Sequence, residues 1–353
     1  MKIVIVSDAW HPQINGVVRV LGITRRELTA LGHEVILITP DQFHQMPLPT
    51  YPDIKLALFP YYKLSKMLRE LKPDALHVMT EGPLGWAARK YCRRNGYKFT
   101  SSWLSKFPEY ASMRTGLPTA WFYKWLIRFH NQAAQTMVTT QTMVEAARTI
   151  GIRRVVLWQR GVELKNFRPI PSQVFADYPK PVMLYVGRIA PEKNLEAFLD
   201  LNLPGTKVLV GDGPDLAFLS KNYPDAVFTG AKTGDDLIEA YCGADVMVFP
   251  SKTDTFGLVN LEAMACGIPV AAYPVTGPKD IIGDAPVGAT DENLAAAIKR
   301  ALPMKSEDCI AHAKTFSWER SVQDFLANLM SFSEKQPHET KDVLTSSARR
   351  DQT

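Results

Sequence analysis

Residues 246–273 read VMVFPSKTDTFGLVNLEAMACGIPVAAY. Four apolar residues open the run, a polar loop occupies 250–255, and apolar residues return at three- and four-residue spacing from Leu258 to Cys266. A second β-rich stretch, 270–273, closes it. Strands without a polar side cannot face water on either face, so both belong in a sheet covered by helices on both sides. A loop and a helix between them return the chain to its starting edge, which makes the two strands parallel.

The same unit recurs along nearly all of the 353 residues. Strand patterns at 2–7, 34–39, 56–60, 75–80, 98–103, 136–140 and 154–159 alternate with helical patterns such as 17–31 and 84–95. A second series runs through 181–187, 206–210, 226–229, 246–249 and 270–273. Two tandem series predict an α/β protein of two Rossmann-like parallel-sheet domains. Pro169, Pro171 and Pro179 punctuate a polar joint at 166–180, so the domains are expected at 1–169 and 178–316. Ser317 ahead of Trp318 reads as the cap of a last helix reaching about Met330. Residues 333–353 are polar and are expected to form a disordered tail.

Composition removes several classes. At 46% hydrophobic and 22% charged, the chain is neither disordered nor collagenous nor a coiled coil. The apolar run 3–6 is too short for a signal-peptide core, and no later stretch approaches a membrane span. Cys92, Cys242, Cys266 and Cys309 form no CxxC pair, which argues against a zinc ribbon or disulfide framework and predicts reduced thiols in a cytoplasmic protein. The net charge of +5 conceals a split: residues 1–170 hold 24 basic and 11 acidic side chains, residues 171–353 hold 17 and 25.

Ligands of open parallel sheets bind beyond the carboxyl ends of the strands. The first such loop, SDAWHPQINGVVR at 7–19, lacks G-x-G-x-x-G, so a nicotinamide enzyme is not expected. Gly16 would let a ligand approach backbone N–H groups, although a plain β–α turn reads the same way. GRIAPEKN at 187–194 sets Arg188 and Lys193 five residues apart, a pair suited to a diphosphate without a metal or to a solvated turn. In the opening segment a helix starts near Phe256-Gly257, and its free N–H groups suit an anion. Asp254 precedes that helix and Glu262 lies on it; carboxylates accept paired hydrogen bonds from sugar diols.

The run from Asp254 to Glu262 resembles the E-x7-E motif of retaining glycosyltransferases with the GT-B fold, family 4. The agreement spans roughly residues 1–330, with HVMTEGPLG at 77–85, FPEY at 107–110, RGVELKNFRP at 160–169, VGRIAPEKN at 186–194 and VGDGP at 210–214. Within the family the chain is most similar to enzymes with lipid acceptors, such as mannosyl- and sulfoquinovosyl-diacylglycerol synthases. The resemblance implies two domains facing a cleft, with a C-terminal helix (317–332) crossing back to the first. It implies that Gly16 faces the donor's phosphate and sugar, and that Arg188 and Lys193 bind the diphosphate and stabilise its charge as it leaves. Asp254, helped by the N–H groups of Phe256, Gly257 and Leu258, would hold the donor sugar, and Glu262 the ribose. The donor would be a GDP- or UDP-linked sugar, with no metal and no other cofactor. Front-face attack, with the leaving phosphate taking the acceptor's proton, would retain configuration without a protein nucleophile.

Two positions depart from the family pattern. Asp254 stands where a glutamate is usual, which shortens its reach by roughly 1.2–1.5 Å. Ser102-Trp103-Leu104-Ser105 stands where relatives read Ser-Tyr-His-Thr, so Leu104 replaces a histidine that contacts the donor sugar. Leucine neither titrates nor donates a hydrogen bond, which makes a slow enzyme or a nucleotide-sugar-binding pseudoenzyme a rival expectation. His77 and Glu81 either face the acceptor or serve the core. Residues 86–130 carry nine basic side chains, one acidic side chain and twelve of the 35 aromatics. Trp121, Phe122, Lys124, Trp125 and Arg128 are therefore expected to touch an anionic membrane surface. Nucleic acid would use similar residues, but the motifs leave it no role. The expectation is a peripheral protein of the inner membrane face that moves mannose or glucose to a lipid acceptor. A soluble glycan or metabolite acceptor is the alternative.

Overall fold

The computed structural model describes residues 1–13, 15–48 and 51–332; the expected tail lies outside them. In the first half the strands are β1 (Lys2–Val6), β2 (Glu34–Ile38), β3 (Gln45–Leu48), β4 (Tyr51–Ala57), β5 (Ala75–Val78), β6 (Thr100–Trp103), β7 (Gln135–Val138) and β8 (Val155–Leu157). The second half has β9 (Val182–Val186), β10 (Thr206–Val210), β11 (Val227–Gly230), β12 (Val246–Phe249), β13 (Val270–Ala272) and β14 (Gly288–Thr290). One sheet runs β2-β1-β5-β6-β7-β8 and the other β11-β10-β9-β12-β13-β14. Pairings such as β1 with β5 and β9 with β12 are parallel. The residues of β9 and β12 are all buried, as strands covered on both faces must be.

Chain order reverses direction between β1 and β5 in the first sheet and between β9 and β12 in the second. These switch points open crevices at the strands' carboxyl ends, and both loops of greatest chemical interest emerge there. The helices that shape the first half are α1 (Gly16–Ala30), α2 (Tyr61–Leu71), α3 (Pro83–Asn95), α4 (Phe107–Thr115) and α5 (Thr119–His130).

Two readings need correction. The strand expected at 56–60 ends at Ala57 and belongs to an antiparallel hairpin, β3 with β4, outside the parallel sheet. Pro60 supplies no N–H to a ladder and instead opens α2. Strand β14 has no bulky apolar run to announce it. A Cβ on its Gly288 would lie 2.4 Å from the Val270 carbonyl oxygen, so close pairing with β13 requires glycine there.

The helix Trp318–Asn328 begins at Ser317, whose hydroxyl accepts from the Arg320 N–H at 3.1 Å. Its Trp318, Val322 and Phe325 pack among Ile3, Ile5, Leu21 and Trp158 of the first half. Trp158 donates its indole N–H to the Ser321 carbonyl at 3.0 Å. The chain thus returns to the first sheet, where the Phe332 N–H reaches the Asp74 carbonyl at 2.8 Å.

Candidate active site

At the switch point of the second sheet, the loop after β9 meets the loop after β12. Lys193 Nζ lies 2.8 Å from both carboxylate oxygens of Asp254. The loops are tied further by the Asn194 amide donating to the Pro250 carbonyl at 3.1 Å and the Thr253 hydroxyl donating to the Glu192 carbonyl at 3.2 Å. Burial alone would raise the Asp254 pKa, but the Lys193 ammonium, helped by a Ser251 hydrogen bond and the Lys106 charge, brings the carboxyl below its ordinary range. Arg188, half-buried in the same loop, accepts the Tyr185 hydroxyl on its carbonyl at 2.8 Å. A Cβ on Gly213 would sit 2.2 Å from the Ile189 carbonyl oxygen, so the VGDGP glycine lets two loops touch.

Gly257 caps the helix Leu258–Ala265 with φ +81, a conformation that favours glycine. The N–H groups of Phe256, Gly257 and Leu258 lie ahead of the helix's first internal hydrogen bond and just after Asp254 in sequence, at the positive end of the helix dipole. One turn on, Glu262 is 2% exposed. It accepts the Tyr241 hydroxyl at 3.0 Å and a charged hydrogen bond from Arg19. Arg19 also lies 3.5 Å from Glu163, which takes Arg26 at 2.9 Å.

Arg19 stands one turn into α1, so the start of that helix faces the second sheet's site. Asn15 caps α1 through the Val18 N–H at 3.0 Å. Gly16 is exposed, with nothing within 4 Å of where its Cβ would be. The first half also clamps the Asp254 loop. Tyr110 of the FPEY motif donates to the Thr253 carbonyl at 3.0 Å, Thr139 to the Thr255 carbonyl at 2.8 Å, and Thr255 to the Leu104 carbonyl at 2.6 Å. Leu104 joins the site through its backbone. Its half-buried side chain packs on the apolar cluster containing Met79, Met137 and Trp158.

Several expected residues stand elsewhere. His77 is fully buried: its ring nitrogens engage the Thr100 and Ser102 hydroxyls at 2.9 and 2.7 Å, and the Trp158 and Phe325 rings cover it. It cannot face an acceptor because the returning C-terminal helix lies over it. Glu81 is buried against His130 Nε2 at 3.0 Å. Trp125 is half-buried between Trp86 and Phe107, and Phe122 packs edge-on against Phe107. Trp121, Lys124 and Arg128 are exposed. Arg19, Tyr241, Tyr110 and Thr255 were not singled out. Arg19 and Tyr110 do occur within the quoted motifs, but nothing local marks their partners.

Two buried groups give folding an acid dependence. Burial, with help from Arg160, pushes the His77 pKa down to about 3. The unfolded chain binds that proton from about pH 6.5 downward and the folded chain does not, so stability falls as pH drops through this window. Asp8 acts oppositely. Burial raises it to about 6 although the Leu84 and Gly85 N–H groups and the Thr80 hydroxyl favour its charge. Its contribution is therefore full below 3.8 and lost as pH rises through about 6. Between about pH 6.5 and 4, His77→Gln should lose less stability than the native chain in urea titrations, and Asp8→Asn more.

Comparison with known proteins matches residues 14–166 to the Glycosyltransferase Family 4 model and residues 167–315 to the Glycosyl transferases group 1 model. A GDP-mannose-dependent alpha-mannosyltransferase of Mycobacterium tuberculosis is 31% identical over 93% of this chain and 96% of its own length. The chain belongs to the family 4, group 1 glycosyltransferases. This glycosyltransferase is also 27% identical to an alpha-monoglucosyldiacylglycerol synthase of Acholeplasma laidlawii, over 76% of this chain and 79% of that one. Its fold is that of sucrose-phosphate synthase from Thermosynechococcus elongatus, with a TM-score of 0.72 and 20% identity over 93% and 98% of the two chains. Among the described residues no helix of the glycosyltransferase is long and apolar enough to cross a membrane.

Proposed function

We propose that this glycosyltransferase moves a hexose from a nucleotide-diphosphate sugar to a lipid acceptor at a membrane surface, with retained configuration and without a metal. The observation that carries the proposal is the Lys193–Asp254 pair at the β9/β12 switch point, beside a helix N-terminus. The diphosphate would lie against Lys193, Arg188 and the free N–H groups of Phe256, Gly257 and Leu258, with Gly16 leaving room from the other side. Asp254, turned from Lys193 toward sugar hydroxyls, would orient the hexose. Arg19 and Tyr241 each occupy one lone pair of Glu262, leaving acceptor capacity for the ribose diol.

As the bond from the anomeric carbon to the diphosphate oxygen breaks, its electron pair stays on that oxygen, where Lys193 and Arg188 stabilise it. The acceptor hydroxyl forms the new bond on the same face and passes its proton to the departing phosphate. The relative that acts on diacylglycerol lipids and the basic first half favour a lipid acceptor.

A thermal-shift panel of UDP-, GDP- and ADP-sugars tests the donor: one class should raise the melting temperature, and none doing so would refute the reading. That donor is then assayed for transfer to dispersed diacylglycerol and to a soluble glycan; transfer to the glycan alone would overturn the lipid assignment. Leu104 bears on rate. Because Thr255 bonds to the Leu104 carbonyl, Leu104→His changes the side chain without removing that contact. The variant should turn over faster than the native chain, and equal turnover would show that Leu104 imposes no penalty.

A further inference from the structure

Away from the cleft, a groove of about 550 Å³ runs between the start of α2, the outer side of α3 and the end of α5. Arg89, Lys90, Arg93, Arg94 and Arg128 line it, and among the described residues no acidic one does. Aromatic rings hold three of these cations where carboxylates ordinarily would. The Arg89 guanidinium lies 4.7 Å from the Trp86 ring centre, and Lys90 and Arg94 lie 4.4 and 5.3 Å from that of Tyr61. Arg94 also donates to the Tyr61 hydroxyl at 3.1 Å. Such contacts orient a cation without neutralising it.

Arg89 is the most buried cation of the groove. It is 6% exposed, its Nη2 donates to the Arg128 carbonyl at 3.0 Å, and its buried Nε has no hydrogen-bond partner among the described residues. A guanidinium buried beside the like charges of Arg93 and Arg128 is unfavourable, and an anion held by the cations of the groove would offset that crowding. The rim identifies the kind of anion. Phe59 and Tyr62 are 92% and 84% exposed, next to the exposed Leu58. Phe59 takes a left-handed φ of 46°, rare for a bulky residue, which holds its ring out in water. Exposed aromatics around a cationic groove suit a headgroup layer better than a free ion.

We infer that this groove binds the phosphate of an anionic bilayer lipid, with Phe59 and Tyr62 seated among the headgroups. It shifts the centre of membrane contact from Trp121 to the α2–α3 groove, with Arg128 common to both. The inference rests on the membrane-surface reading above but not on the identity of donor or acceptor.

Flotation with phosphatidylcholine vesicles, with and without phosphatidylglycerol, tests it. The native chain should float only with phosphatidylglycerol, and less at high salt. Arg93→Glu combined with Arg94→Glu, both exposed, should weaken binding at least about tenfold, since each cation near the surface contributes measurably. Phe59→Ser should weaken it too, and Arg89→Gln should do so if that chain folds. Flotation of the double variant equal to native would overturn the inference. So would displacement of vesicles by inorganic phosphate at low concentration, or single-stranded DNA binding as strong as vesicle binding. The donor's thermal shift should be unchanged in the double variant. Transfer to detergent-dispersed acceptor without vesicle binding would sink the groove alone; vesicle binding without any donor shift would sink the proposed donor reading alone.

Discussion

Lys193→Ala is expected to lower kcat by about 100- to 1,000-fold, the usual loss when one donor stabilising a developing anion is removed. On the proposed reading the ammonium would act most strongly when the diphosphate carries the charge of the breaking bond, so KM should change far less than kcat. Steady-state transfer or donor hydrolysis measures both, and a KM effect with unaltered kcat would assign Lys193 to ground-state binding instead. The fold should survive, because Lys193 and Asp254 are each about one-fifth exposed; water screens the pair, so losing it costs about 1 kcal/mol. The pH dependence of that loss has a definite sign. Lys193 holds the Asp254 pKa down, so the pair's stability is present above the ordinary carboxylate range and disappears as pH falls through the lowered pKa.

Arg19→Ala produces the largest expected change in stability, about 2–3 kcal/mol, below the full value for a buried pair because Arg19 is 35% exposed. Glu262, with its side chain only 3% exposed, is left with the Tyr241 hydroxyl as its remaining hydrogen-bond partner. Burial already raises the Glu262 pKa, with Arg19 pulling it down. Without Arg19 it rises further, so the folded chain must bury a charge or hold a proton. A raised folded pKa means stability present below the unfolded value and lost as pH rises. The Arg19→Ala penalty should therefore grow from acid to neutral pH in urea titrations. Combining it with Glu262→Gln should recover most of the loss, whereas additive losses would show that the two side chains are not coupled.

Both predictions depend on residues whose types the sequence displayed but whose partners it did not. Lys193 and Asp254 could be singled out because each follows an apolar strand in a recognisable loop. Arg19 closes the motif SDAWHPQINGVVR, yet its carboxylate lies 243 positions away, and no local pattern connects the two. His77 misled for a related reason: a histidine at a strand end looks the same whether the space above it is cleft or core. The returning helix filled that space. The aromatic–basic stretch at 86–130 was visible as composition, but which rings face water depends on how α3, α4 and α5 pack. Trp86 and Trp125 turned toward one another while Trp121 stayed exposed, and the most exposed rings are Phe59, from a stretch read as a strand, and Tyr62, at the start of α2.

Periodicity within ten or twenty residues was enough to specify two parallel sheets, because a strand apolar on both faces has few environments open to it. Loop motifs pointed to the proposed donor-site residues for the same reason: a helix start, a glycine and a cation act over a few positions of chain. The contacts of α1 and the rest of the first half with the Asp254 loop and Glu262, the return of the last helix and the Arg89 groove join distant segments. Those contacts depend on packing and desolvation in three dimensions, which decide whether a charged side chain meets a carboxylate, a ring or open space.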